Sequence, residues 1–267
     1  MEKTIDQMKV GERLYLGQYG VTNDEHPRIA WLKASPNCDF ISEFALDYIQ
    51  FDARETGRPT RENEFFAGNP RFAQSNINQF LNSEEDEWWS KKTEYNRPPE
   101  STTREHFGFL YWFSDYELES IVKKTYELDN TEVLTKMRLP LFSEVIGTSR
   151  LQLFKRKGIR PKANQMYYFN AFYGFDENSY VDFWCMDRGD ERAYAIYTID
   201  RTGYADRRSP YQRCGLRPMC TMKPDTVISN ESYGEMINGY AVKPFATAPL
   251  PVFSDDELTN LLGMALP

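Results

Sequence analysis

The chain has 267 residues, a formal net charge of −8, 40% hydrophobic and 27% charged residues, and a pI near 5.0. That length is enough to bury a sizeable core, and the acidic balance argues against nonspecific attraction to nucleic acid or anionic lipid. No stretch approaches the ~20 apolar residues of a membrane span, so membrane insertion is not expected. The opening residues, Met1 to Asp6, lack the apolar run of a signal peptide, and synthesis in the cytoplasm without one is expected. Strands are expected at Arg13 to Leu16, Ile29 to Ala34 and Phe40 to Leu46, where β-branched and aromatic residues lie between Gly, Pro and Asn turns. Residues 52–75 are polar and irregular. Ser75 then caps a short helix that places Ile77, Phe80 and Leu81 on one face.

Residues 83–106 read as a charged surface insertion in which Trp88 and Trp89 plug the core. Ser114 and Glu117 form a capping box that opens a helix running to about Thr125, with Leu118, Ile121 and Val122 at helical spacing. After Leu139-Pro140-Leu141-Phe142, Ser143 is expected to cap one or two helical turns that stop at Gly147. The aromatic stretch from Asn164 to Met222 supplies the remaining strands. Beyond Met222 the chain is proline-bearing, with Pro224, Pro244, Pro249 and Pro251. It ends in a second capping box, Ser254 to Glu257, before Leu258, Leu261 and Leu262. The expected organisation is therefore one domain at residues 1–222 and an extension at residues 223–267 that closes in a short helix.

Four cysteines, Cys38, Cys185, Cys214 and Cys220, are too few and too scattered for a disulfide scaffold or a zinc knuckle. Buried free thiols are expected, with a Cys185–Cys214 or Cys38–Cys220 bridge left open.

The order of these pieces resembles a family of uncharacterised bacterial and phage domains related to the C-type-lectin fold and, more distantly, to formylglycine-generating enzymes. Gly11 to Tyr19 and Pro27-Arg28-Ile29-Ala30-Trp31 look like its opening strands. Ser75 to Asn82 is similar to its first helix, with Asn78 and Phe80 where the family pattern has arginine and tryptophan. Phe113 to Ile121 and Leu139 to Gly147 resemble its helix starts, and Cys214-Gly215-Leu216-Arg217-Pro218 looks like its closing strand. The resemblance covers about residues 8–223 and implies an α+β, C-type-lectin-like fold. Such a fold has a small, twisted, mostly antiparallel sheet, two flanking helices and long irregular loops. Arg217, with five donors, is expected to tie loop carbonyls or a carboxylate into the core, and Pro218 suits a strand end.

Chemistry is harder to place. The two histidines, His26 and His106, sit in polar, loop-like settings with no spacing for a facial triad. Cys214 and Cys220 straddle Gly215-Leu216-Arg217, unlike the cysteine pair of formylglycine-generating enzymes. The lectin patterns Glu-Pro-Asn and Trp-Asn-Asp are absent, and no phosphate loop stands out. No catalytic residue, metal or cofactor is expected. Loops on a rigid scaffold commonly carry recognition, and Tyr-rich surfaces bind with little entropy loss. The expected ligand-binding residues are Tyr173, Asp176, Asn178, Tyr180, Asp187, Arg188, Tyr204, Arg207 and Tyr211. Tyr167, Tyr168, Tyr194 and Tyr197 lie in apolar runs and are expected in the core. These features lead to the expectation of a non-enzymatic recognition or decoration protein of a phage particle or bacterial surface assembly. Its partners would be a cell-surface glycan or protein ligand, a larger assembly held through the extension, and possible homo-oligomers. The alternatives are a metal- or thiol-dependent oxidase on the formylglycine-enzyme fold and a purely structural virion subunit.

Overall fold

The computed structural model describes residues 2–19, 28–54, 68–90, 107–147, 149–157, 179–189, 195–229 and 239–243. Several expectations lie outside these residues: strand structure at 164–178, most of the insertion at 83–106, both histidines, Tyr194 and the helix after Ser254. The chain begins with β1 (Glu2–Thr4), β2 (Arg13–Gln18), β3 (Arg28–Lys33), β4 (Asp39–Ser42) and β5 (Asp47–Gln50). Helices α1 (Asn76–Leu81) and α2 (Asp115–Ser120) precede β6 (Lys124–Leu128), β7 (Thr131–Thr135) and β8 (Met137–Arg138). Then come α3 (Phe142–Val145), α4 (Gln152–Lys157), β9 (Phe183–Arg188), β10 (Ile196–Ile199) and β11 (Ala205–Arg208). The last strands are β12 (Arg213–Leu216), β13 (Met219–Thr221), β14 (Val227–Ser229) and β15 (Tyr240–Val242).

The fold is α+β, rich in open sheet with a few short helices. Instead of one small sheet, the described residues form an eight-stranded sheet, a five-stranded sheet and a separate hairpin. The larger sheet runs β1-β14-β15-β2-β3-β4-β13-β8, the smaller β11-β10-β9-β12-β5. Pairing is antiparallel except between β15 and β2 and between β12 and β9. Both β14 and β15 lie beyond Met222, so residues on the far side of the boundary expected there complete the larger sheet. The first strand pairs with β14, Glu2 opposite Ser229, which draws the two ends of the described chain together.

Two of the passages between the sheets join consecutive strands at neighbouring points. Residues 43–46 lead from β4 in the larger sheet to β5 in the smaller, and Arg217-Pro218 leads back from β12 to β13. The crossings are stitched together by Ser42 N donating to Pro218 O at 3.0 Å and Leu46 N donating to Leu216 O at 2.8 Å. A proline suits this point because the ladder needs no further amide there.

Aromatic side chains fill the space around this junction. Trp31, Trp184, Phe40, Phe51, Phe80 and Phe183 are fully buried, each stabilising the fold by about 1.5–3 kcal/mol through lost apolar exposure. The indoles of Trp31 and Trp184 keep their N–H groups satisfied, Trp31 on Leu16 O at 2.8 Å and Trp184 on Ile49 O at 2.9 Å. Trp88 is buried against Phe80 with ring centroids 5.4 Å apart, a core plug as expected, while Trp89 is only partly buried. A smaller core cluster packs Phe154, Phe183, Ile199 and Met219 beside α3 and α4.

The helix starts follow local chemistry. Ser75 caps α1 by accepting from Asn78 N at 3.2 Å. At α2, Glu117 reaches back to Ser114 N at 2.9 Å, and its fully buried carboxylate also accepts from Gly17 N at 3.2 Å and Arg28 at 2.5 Å. The capping box therefore also ties the helix to β2 and β3. Two helix expectations are corrected. Helix α2 ends at Ser120 instead of running to about Thr125, because Ile121 bridges to Met222 and Val122 N donates to Thr221 O at 2.8 Å. At α3 the first free amide, Leu141 N, donates to Glu144 at 2.8 Å, so the helix starts one residue before Ser143, which is inside it.

Candidate functional site

The turn between β10 and β11 is fixed by one carboxylate. Asp200 Oδ1 accepts from Thr202 N at 2.8 Å, the Thr202 hydroxyl at 2.6 Å and Tyr204 N at 2.9 Å. Main-chain bonds from Asp200 N to Tyr204 O and from Gly203 N to Asp200 O, both 2.9 Å, close the turn. Gly203 sits at φ +93°, a conformation that suits glycine. Slight burial works against the Asp200 charge, but the Thr202 hydroxyl and the Tyr204 and Thr202 amides hold its carboxyl below the usual range. The turn displays Tyr204, 73% exposed, beside the exposed Arg201.

The other expected ligand-binding residues that are described are spread around the smaller sheet. Tyr180, just ahead of β9, is 38% exposed. Asp187 accepts from Phe142 N at 2.7 Å, serving as a cap for α3. Arg188 pairs with Asp129 at 3.5 Å. Arg207 lies over the Tyr197 ring at 5.1 Å, and Tyr197 itself is buried and stacked on Phe142 at 4.2 Å, a core tyrosine as its apolar run implies. The Tyr211 ring lies under Arg54 at 4.3 Å. Asp187, Arg188, Arg207 and Tyr211 thus all make contacts inside the chain. Tyr173, Asp176 and Asn178 lie outside the described residues, as do Tyr167 and Tyr168.

One polar cluster has no local signal in the sequence. Asp182, at the entry to β9, pairs with Arg208 of β11 and accepts from the Tyr48 hydroxyl of β5 at 3.3 Å. Arg208 also donates to Tyr48 Oη at 3.3 Å and to Arg213 O at 3.1 Å. The main-chain oxygen of Asp182 accepts from Gly215 N at 3.0 Å. Burial pushes the Asp182 carboxyl up against the pull of Arg208. Burial and the Asp182 charge push the Tyr48 hydroxyl up to about 12 and raise the Cys214 thiol well above its usual value. These groups join β5, β9, β11 and β12, and each is driven towards its protonated form.

All four cysteines are free and buried, so neither of the two bridges left open forms. Burial raises the Cys185 and Cys220 thiols as well, the reverse of the lowered value that marks a reactive thiolate. Among the described residues no three His, Cys, Asp or Glu side chains gather as a metal site, and no helix is long and apolar enough to cross a membrane. Comparison with protein-family models, curated proteins and solved structures finds no match.

Proposed function

We propose that this chain is a non-enzymatic recognition or decoration protein of a phage particle or bacterial surface assembly, binding a glycan or protein ligand through the loops of a lectin-like scaffold. The observation that carries this reading is Tyr204, 73% exposed on a turn held by three bonds to the Asp200 carboxylate. A large amphipathic ring on a preorganised turn loses little conformational freedom on binding. The phage or bacterial-surface setting and the lectin-like scaffold rest on the sequence resemblance. Buried, protonated thiols weigh against the oxidase alternative, which needs an accessible thiolate or metal-bound cysteine.

The test is binding of the purified protein to a panel of bacterial cell-wall glycans and to intact cells, with and without EDTA. Selective binding lost in Tyr204→Ala, and weakened in Tyr180→Ala, is the expected result. Binding unchanged in Tyr204→Ala overturns the assignment of this turn. No binding across the panel, together with a defined oligomer, favours a structural subunit.

A further inference from the structure

We infer that Tyr111 seats an arginine side chain from a basic segment of a partner protein, at a surface separate from the Tyr204 turn. Tyr111 is 40% exposed and belongs to a trio of touching rings. Its ring stacks on Phe107 with centroids 4.5 Å apart, and the half-buried Trp112 stands nearly perpendicular to it at 4.9 Å. Trp112 is also only 5.2 Å from Phe107, so it flanks the stacked pair and does not lie over the far face of Tyr111. Phe107 and Trp112 thus leave that face uncovered, in keeping with the exposure of the residue.

The trio is held in place from beneath. Phe109, Leu110 and Phe113 of the same turn are buried, Phe109 against Phe80 at 6.0 Å. Gly108 N donates to Glu85 O at 2.8 Å, and Leu110 N to Ser83 O at 3.0 Å. A Cβ at Gly108 would meet Ser83 O at 2.2 Å, so glycine is what lets the two segments run this close. The aromatic turn is thereby fixed beside the run Glu84 to Glu87, in which all four acidic residues are exposed. Glu84 is paired with Lys136 at 2.8 Å. Glu85, Asp86 and Glu87 have no cation partner among the described residues.

This charge selects the occupant. Elsewhere a cation of the chain itself lies over a tyrosine ring: Lys3 over Tyr240 at 3.9 Å, Arg54 over Tyr211 at 4.3 Å and Arg138 over Tyr126 at 4.8 Å. Among the described residues none lies over Tyr111, whose ring offers a cation the same negative face. A neutral sugar or an apolar side chain would pack on that ring without using the carboxylates. A guanidinium uses both, lying flat on the ring and offering paired donors to a carboxylate. The partner is therefore a basic segment anchored by arginine. No residue is shared with the Tyr204 turn, so this surface stands whether or not that turn binds.

The test uses the full chain and a tetra-arginine peptide with blocked ends, titrated by calorimetry at low salt, with tetra-lysine and tetraglutamate as controls. The expected result is saturable binding of tetra-arginine, weaker binding of tetra-lysine and none of tetraglutamate. Tyr111→Ala should weaken tetra-arginine about fivefold, the loss of one exposed cation–π contact, while Tyr111→Phe keeps the affinity. The triple variant Glu85→Gln, Asp86→Asn, Glu87→Gln changes only exposed positions. It should weaken binding and flatten its salt dependence. Glu127→Gln with Glu132→Gln removes two exposed carboxylates on the β6–β7 hairpin and should leave the affinity near the parent value. No binding of tetra-arginine, undiminished affinity in Tyr111→Ala, or equal weakening in the hairpin variant overturns the proposal. Binding of methyl glucoside that is lost in Tyr111→Ala, with tetra-arginine binding unchanged, also overturns it and reassigns the ring to a sugar. Tyr204→Ala leaves tetra-arginine binding in place, so failure of that turn and failure of this surface are told apart.

Discussion

Arg217 donates from Nε to the main-chain oxygen of Ser42 at 3.1 Å, at the junction where two segments cross between the sheets. Its guanidinium, fully buried, lies between the rings of Phe154 and Phe183 at 5.4 and 5.2 Å. Burial pulls its pKa down to about 9, still high enough for the group to be charged at neutral pH. Arg217→Met keeps the apolar contacts but takes a donor from a buried carbonyl, and should cost about 1–3 kcal/mol. Arg217→Ala also opens space between the two rings and should cost more. Denaturant titration checks the order; a Met variant as stable as the parent would show that the Ser42 bond contributes nothing.

Gly215 in the same signature is required by close approach. A Cβ built there would meet the Asp182 main-chain oxygen at 2.3 Å and Ala45 Cβ at 3.4 Å. Since Gly215 N also donates to that oxygen, the strands cannot part without losing the bond. Gly215→Ala should destabilise by about 1–3 kcal/mol, the usual range for overpacking, read as a lower denaturation midpoint with an unchanged slope.

How much of this was legible follows from the range of each interaction. The Ser75 cap, the Ser114–Glu117 box, the early strands and the Gly-Leu-Arg-Pro signature are local patterns, and each marks a real element. The β6–β7 hairpin also left a local sign, Asp129-Asn130, with both residues at positive φ, the two-residue turn that hairpins favour. Helical spacing of Leu118, Ile121 and Val122 masked it, because Ile121 and Val122 are taken by Met222 and Thr221, about a hundred residues away in sequence. The strands β14 and β15 are three residues each and too short for a period to show. The Asp182–Arg208–Tyr48 cluster joins three distant segments, and nothing near any one of them announces the other two.

Two carboxyls shifted in opposite directions give opposite pH dependences. Burial alone would raise Asp39, but hydrogen bonds from Thr221 and Ser35 and the charge of Lys124 bring its pKa below the ordinary 3.8. Its contribution is therefore complete above that value and is lost as pH falls through the lowered folded value. Asp182 is raised by burial, so its contribution is fully present below the unfolded value and is lost as pH rises through the folded one. Asp39→Asn should flatten the acid limb of a plot of melting temperature against pH. Asp182→Asn should flatten the region just above the ordinary carboxylate range. The same slopes in parent and variants would refute both assignments.

The thiols offer a direct check on burial. All four are free and buried, and burial raises Cys185, Cys214 and Cys220 far enough that thiolate is scarce at neutral pH. A disulfide reagent should leave the native protein unlabelled and titrate four thiols per chain in denaturant. Fast labelling of Cys214 or Cys220 in the native state would restore the oxidase reading.

The β6–β7 hairpin carries an unfavourable pair on its outward face. Glu127 stands directly opposite Glu132, and the neighbouring pair on that face is Thr125 with Leu134, the latter 65% exposed. Opposed residues share a face in an antiparallel ladder, and like charges set across from each other destabilise it. The inward face is secured independently by the buried Val133 and Thr135, by Tyr126 under Arg138 at 4.8 Å, and by Lys124 on Asp39 at 3.1 Å. Replacing one carboxylate therefore changes only the outward pair. Glu132→Lys turns repulsion into attraction and should stabilise by about 0.2–1 kcal/mol, with the gain shrinking at high salt because both groups face water. The double variant Glu127→Lys, Glu132→Lys restores like charges and should return stability to near the parent value. A gain in the double variant equal to that of the single would place the effect in overall charge instead of in this pair, since the chain carries a net −8.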